Sequence, residues 1–148
     1  MEQRFETFTA LIASISRSIR KIKSEKMLEF NLKSSHVSCL YYLYKSGALT
    51  AKELCERCDE DKASISRSID YLEKNGYIIC HSNTPKRYRA PLELTTKGAE
   101  IGSYICEKID NILLKSSDGV SEEHRKIMYE SLIKINNNLQ QFCKKEDD

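Results

Sequence analysis

Residues 49–78 read LTAKELCERCDEDKASISRSIDYLEKNGYI, and the fold turns on this stretch. Thr50 followed three residues later by Glu53 is a capping box, in which the Thr side chain and the Glu carboxylate satisfy each other's orphan amides, so a short helix begins at about Thr50. That helix carries Leu54 inward together with Cys55 or Cys58. It has to stop by Asp59-Glu60, because Asp61 is placed to cap a second helix whose Ile65, Ile69 and Leu72 recur at helical spacing. Asn75-Gly76 closes the second helix, with Lys74 in its last turn against the helix dipole.

Working outward toward the C-terminus, Tyr77 to Cys80 is a β-branched and aromatic run. The turn-forming Ser82-Asn83-Thr84-Pro85 follows, and then a second short strand from about Ala90 to Thr95. Pro91 lacks an amide proton, which confines this strand to an edge or to a position where the donor is not needed. Two short helices around a tight turn, followed by a β-hairpin, form a winged helix-turn-helix, whose second helix enters the DNA major groove. Here that helix is Lys62 to Lys74. With its isoleucines and Leu72 inward, its outer side near the N-terminus shows Lys62, Ala63, Ser64, Ser66 and Arg67. Serines are short enough to let a helix sit deep in the groove, and an arginine can contact guanine through two parallel hydrogen bonds. Alone, such a face is also what a merely solvated helix presents. The hairpin tip tips the balance toward DNA: Lys86, Arg87, Tyr88 and Arg89 lie in a stretch from Lys74 to Leu92 that contains no acid, and folding does not require them there.

Upstream, Ser34 or Ser35 is the expected cap of a helix carrying Val37, Leu40, Leu43 and Tyr44, which Gly47 ends. Before it, Phe5, Phe8, Ile12, Ile15, Ile19 and Ile22 alternate steps of three and four along a helix of about six turns, and the pattern lapses near Phe30-Asn31-Leu32. Downstream, Thr95 or Thr96 caps a long helix with Ile101, Ile105, Ile109 and Ile112 on one side. Gly98 and Gly102 share another side, where a neighbouring element is expected to pack closely. Ser121 caps the last helix, with Met128, Leu132, Ile135, Leu139 and Phe142 at heptad-like steps. The three outer helices hold more apolar stripe than one small core needs, which predicts mutual burial in a homodimer. The expected fold is mainly α with a small β-hairpin wing: a winged helix-turn-helix lobe over residues 34–96, and dimerisation helices in 1–33 and 97–148.

At 148 residues with 40% hydrophobic content, the chain suits a single globular unit and is too apolar for disorder, yet no run approaches the roughly 18 residues of a membrane span. Neither a secretory signal nor a lipidation motif is visible near Met1 to Ala10, so the expected address is the cytoplasm, away from membranes. The six cysteines, at 39, 55, 58, 80, 106 and 143, are scattered, which argues for reduced thiols rather than a disulfide framework. Cys55 and Cys58 form a C-x-x-C with no second pair or paired histidines to complete a metal site, and small inward-facing core residues are the expected role. His36, His81 and His124 stand far apart, without metal-ligand spacing. No phosphate loop, nucleophile elbow or paired-carboxylate constellation is present, so neither an enzyme nor a cofactor is expected.

The stretch from Leu49 to Ile78 and the later "LELTTKG" (residues 92–98) together resemble the DNA-binding helices, wing strands and following helix of the MarR (multiple-antibiotic-resistance regulator) family. The likeness spans nearly the whole chain. It implies a triangular dimer with interlocked terminal helices, a recognition helix at 62–74, and wings reaching the flanking minor grooves. The DNA partner would be a pseudo-palindromic double-stranded operator with half-sites about 10 bp apart. It also implies a repressor released by a small aromatic ligand, which would bind in a crevice lined from the second and fifth helices. Tyr41, Tyr44 and Tyr104 are the rings placed to stack on such a ligand, with core or interface packing as their competing role. One departure stands out: where the family carries Asp-x-Arg at the wing tip, this chain has Lys86-Arg87-Tyr88, so the steadying acid is absent and Arg87 or Arg89 takes over the groove contact. The family's peroxide-sensing branch keeps its reactive cysteine in the first helix, where this chain has none, leaving Cys39, Cys80 or Cys106 for a thiol-based sensor. A winged-helix protein-interaction module that has lost DNA binding is the remaining alternative, and the altered wing motivates it.

Overall fold

The computed structural model describes residues 4–58, 60–81 and 89–144. Six helices and three short strands follow one another: α1 (Arg4–Lys26), α2 (Ser34–Ser46), β1 (Leu49–Thr50), α3 (Ala51–Arg57), α4 (Lys62–Lys74), β2 (Ile78–Cys80), β3 (Pro91–Leu94), α5 (Thr96–Ser116) and α6 (Glu122–Lys144). The chain forms two compact units, the first running to Ile109 and the second starting at Asp110. Among the described residues no helix is long and apolar enough to cross a membrane.

Local chemistry sets most boundaries in the first unit. At α3 the capping box is complete: Thr50 N–H donates to Glu53 Oε2 at 2.8 Å, and Glu53 N–H donates to Thr50 Oγ1 at 3.2 Å. At α4 the Asp61 carboxylate accepts from Ser64 N–H at 2.6 Å, and Gly76, with φ +77°, turns the chain out of the helix toward β2. A single 3-10 turn, Leu28–Phe30, followed by Asn31 in the left-handed conformation, separates α1 from α2. The cap of α2 differs from the expectation. Ser34 and Ser35 lie inside the first turn, and the Lys33 N–H before them donates to Nδ1 of His36 at 3.0 Å.

The sheet also departs from a simple hairpin. Leu49 and Thr50 serve as a third strand, pairing antiparallel with Leu92 and Pro91, so the order is β1-β3-β2 and β3 lies in the middle. Pro91 is tolerated there because it is the first residue of β3, and its carbonyl accepts from His81 N–H at 3.3 Å. The core gathers Leu40 and Leu43 of α2, Leu54 of α3, Ile65 and Leu72 of α4, Ile78, Leu92 and Ile105 around one apolar centre. The predicted close approach on α5 is present. A side chain at Gly98 would run into the carbonyl of Tyr77, and one at Gly102 would meet Tyr44 Cβ at 3.0 Å.

In the second unit, Gly119 (φ +84°) follows the end of α5, and Ser121 Oγ caps α6 by accepting from His124 N–H at 3.2 Å. No residue of α6 is buried, although it carries Ile127, Ile133, Leu139 and Phe142.

Candidate nucleic-acid interface

The inner face of α4 is fastened to the rest of the first unit along its whole length. Ile65, Ser68, Ile69 and Leu72 are buried, at positions i, i+3, i+4 and i+7. Ser68 Oγ donates to Ser35 Oγ at 2.9 Å, and Tyr71 OH donates to the Asn31 carbonyl at 2.8 Å. The His36 ring lies flat on Tyr71, with centroids 4.2 Å apart and planes 4° from parallel. Burial, and then the neighbouring Lys33 charge, hold the His36 pKa below its ordinary value, which keeps the imidazole neutral and able to accept from Lys33 N–H. Beyond the helix end, Thr95 Oγ1 donates to the Gly76 carbonyl at 2.6 Å, and the Lys97 ammonium donates to that of Asn75 at 2.8 Å.

With the inner side so engaged, the outer side faces solvent. Lys62, Ala63, Ser66 and Arg67 are exposed, whereas Ser64 is half-buried and its amide is committed to the Asp61 cap. Arg89, just before β3, is exposed as well. The other expected wing residues, Lys86, Arg87 and Tyr88, lie outside the described residues. The result is a helix held rigidly on one side that offers an ammonium, a guanidinium and short polar side chains on the other. Its N-terminus also carries the positive end of the helix dipole, which favours phosphate.

The three tyrosines expected to share a ligand crevice are not brought together as a set. Tyr44 covers Gly102, and Tyr41 meets Tyr42 edge to face at 5.3 Å with its carbonyl near the Cys106 thiol. Tyr104 faces elsewhere: its ring meets Phe30 edge-on at 5.5 Å, its hydroxyl reaches Glu29 at 3.3 Å, and the Lys108 ammonium lies 4.6 Å from its ring centre. A cavity of about 250 Å³ instead opens between α4 and the sheet, walled by Ala51, Ile65, Ile69, Cys80 and Leu92 with Lys62 and Asp70 as its charged groups. The sequence reading did not find this space. It depends on how the sheet sits against the helix, which no local pattern encodes. Ser68, by contrast, could have been found, since it completes the i, i+3, i+4, i+7 series with Ile65, Ile69 and Leu72.

Cys58 is buried and Cys55 half-buried, both at the core cluster as expected for small inward residues. Among the described residues no group of three or more His, Cys, Asp or Glu is arranged to hold a metal ion.

The MarR family model matches residues 30–87. The chain is 37% identical over 93 residues to an uncharacterised HTH-type transcriptional regulator, YwoH, of Bacillus subtilis, covering 61% of this chain and 66% of that protein. It is 26% identical over 132 residues to the HTH-type transcriptional regulator BilQ of Clostridioides difficile, covering 88% and 86%. A solved structure of a putative MarR family transcriptional regulator from Listeria monocytogenes, in complex with a 26mer DNA, superposes with a TM-score of 0.78 at 23% identity, over 88% of this chain and 87% of that one. At that identity the superposition speaks for the fold.

Proposed function

The chain belongs to the MarR family of HTH-type transcriptional regulators, and on that premise we propose that it is a homodimeric repressor which binds a pseudo-palindromic operator through α4 and is released by a small aromatic ligand. The observation that carries the DNA-binding reading is the division of α4 into two sides. Ile65, Ser68, Ile69, Leu72 and Tyr71 make its packing and hydrogen bonds, while Lys62, Ala63, Ser66 and Arg67 are left exposed. In this reading Ser64, Ser66 and Arg67 read bases, and Lys62, Lys86, Arg87 and Arg89 hold phosphate or the minor groove. Residues 34–96 form the DNA-binding lobe.

Dimerisation falls to residues 1–33 and 97–148. Its support is apolar surface that a solvated helix has no use for: Leu11 and Ile15 on α1, and Ile133, Leu139 and Phe142 on α6, each more than half exposed. Release by a ligand is assigned to Tyr41 and Tyr44 of α2 and Tyr104 of α5, with the Tyr104 ring turning from its contact with Phe30 to join the other two.

Fluorescence anisotropy with the duplex upstream of the protein's own coding region, against a scrambled duplex at two salt concentrations, tests the reading. Salt-sensitive binding with a preference of roughly a thousandfold is expected. Flat, salt-independent association with every duplex would overturn it in favour of a protein-interaction module.

A further inference from the structure

Three consecutive carbonyls at the exit of α4 are all taken up by one short segment, residues 95–97, where β3 passes into α5. The Asn75 carbonyl accepts from the Lys97 ammonium at 2.8 Å, the Gly76 carbonyl from the Thr95 hydroxyl at 2.6 Å, and the Tyr77 carbonyl from the Thr95 amide at 3.0 Å. The same Thr95 oxygen accepts from Gly98 N–H at 3.0 Å, so it caps α5 while it closes α4. Lys97 is held over this joint a second time, its ammonium 4.4 Å from the centre of the Tyr77 ring. Thr95 also follows directly on Leu94, which pairs with Ile78 of β2. The recognition helix, both wing strands and the start of α5 therefore meet at one side chain.

We propose that Thr95, assisted by Lys97, is a positioning residue for operator recognition: it fixes the orientation of α4 relative to the wing, and so sets how sharply the exposed face of α4 discriminates among sequences, without touching DNA itself. The inference rests on the proposed DNA-binding reading of α4. Ile65, Ile69 and Leu72 hold the helix by apolar burial, which is non-directional. Ser68 and Tyr71 tie it to Ser35 on α2 and to Asn31 in the joint before α2. The Thr95 and Lys97 bonds are directional, and they join α4 to the strand on which the wing is built. A recognition contact needs its groups held to within about 0.5 Å and about 10–20°, and bonds outside the contact set that tolerance. The two parallel bonds of Arg67 to a guanine edge are the contact most sensitive to it. Because the donor to Gly76 and the acceptor from Gly98 are one oxygen, removing it loosens the exit of α4 and the first turn of α5 together.

The test compares full-length variants by anisotropy, with the upstream duplex against the scrambled one at several salt concentrations, well below the Tm of each variant. Thr95→Val, which keeps the shape and removes the hydroxyl, should cut the preference for the upstream duplex roughly tenfold or more, the loss of one well-placed base contact. Its salt slope should stay unchanged, since no phosphate contact is removed. Thr95→Ser restores the oxygen and should restore the preference. Ile105→Val, a core change on α5 away from this joint, measures what lost stability alone does and should keep the full preference. If Thr95→Val does not fold, Lys97→Met serves instead, because Lys97 is exposed and the methionine can still cover the Tyr77 ring. It should lower the preference at constant salt slope. A slope reduced by about one unit per protomer would make Lys97 a phosphate contact and overturn its assignment. Equal loss of preference in Ile105→Val and Thr95→Val, or none in Thr95→Val, overturns the positioning role while the DNA-binding reading stands. An unaltered protein that does not discriminate between the duplexes overturns both.

Discussion

The Tyr71 hydroxyl donates to the carbonyl of Asn31 at 2.8 Å, tying the C-terminal part of α4 to the left-handed residue that joins α1 to α2. The bond spans 40 positions of sequence and is reinforced by the His36 ring stacked on the same tyrosine. Removing only the hydroxyl leaves the ring contact in place and strips the Asn31 carbonyl of this donor. Tyr71→Phe should therefore cost about 1 kcal/mol, a single neutral hydrogen bond, and lower Tm by roughly 2–4 °C. Thermal unfolding at fixed protein concentration checks this, and an unchanged Tm would mean that the bond adds nothing to holding α4.

The two α5 glycines should respond differently to a methyl group. At Gly98 the added carbon would meet the Tyr77 carbonyl, a backbone group that is itself held by Thr95 N–H at 3.0 Å and cannot swing aside as a side chain can. At Gly102 it would meet only Tyr44, at 3.0 Å from Cβ and 3.1 Å from Cδ2, a contact that a few tenths of an ångström between the two helices would relieve. Alanine gains about 1 kcal/mol of helix propensity at either site. Gly98→Ala should lose roughly 1–3 kcal/mol in spite of that gain, and Gly102→Ala should fall nearer neutral. Urea unfolding of the two variants ranks them, and equal losses would contradict the geometry.

These relationships mark where sequence reasoning stops. The caps of α3 and α4 were legible because Thr50, Glu53, Asp61 and Ser64 satisfy one another within four residues, so pattern and structure are the same fact. The exposed face of α4 was legible for a similar reason, since the period of Ile65, Ile69 and Leu72 fixes which side remains. The third strand was not, because Leu49 and Thr50 become β1 only by meeting Leu92 and Pro91 some forty residues later. Nor was the α2 cap, where Lys33 stands at the N-cap and the His36 imidazole, at the third helical position, reaches back to accept from its amide. The Tyr71–Asn31 contact joins separate elements and leaves no periodic trace. Tyr104 was grouped with Tyr41 and Tyr44 by its helix, whereas its ring turns toward Phe30.

His36 makes stability depend on pH. Its pKa is lowered in the folded protein, so the folded state favours the neutral ring and the unfolded chain takes up the proton first as pH falls. The stabilisation is then fully present above the unfolded value of about 6.5, and is lost as pH drops through the depressed folded value. Urea midpoints measured across about pH 8 to 5 should fall on the acid side, and His36→Gln, which retains an acceptor for Lys33 N–H, should flatten that part of the curve. A curve identical to that of the unaltered protein would place the proton uptake on other groups.

On DNA, Arg67 and Lys62 should fail in different ways. Both are exposed on α4, but a guanidinium can pair with the two acceptors of a guanine edge, whereas an ammonium at the first turn acts mainly as a point charge toward phosphate. Arg67→Ala should therefore cost about 1–3 kcal/mol against the preferred operator and little against duplexes altered at the base pair it reads, relaxing specificity at one position in each half-site. Lys62→Ala should weaken all duplexes alike and reduce the dependence of log K on log salt by about one unit per protomer, because one fewer phosphate is neutralised and fewer counterions are released. Anisotropy titrations over a panel of singly substituted operators at several salt concentrations separate the two outcomes. If both variants lost affinity uniformly with the same change in salt slope, α4 would be holding DNA by charge alone, and the reading of bases would have to be sought in the wing.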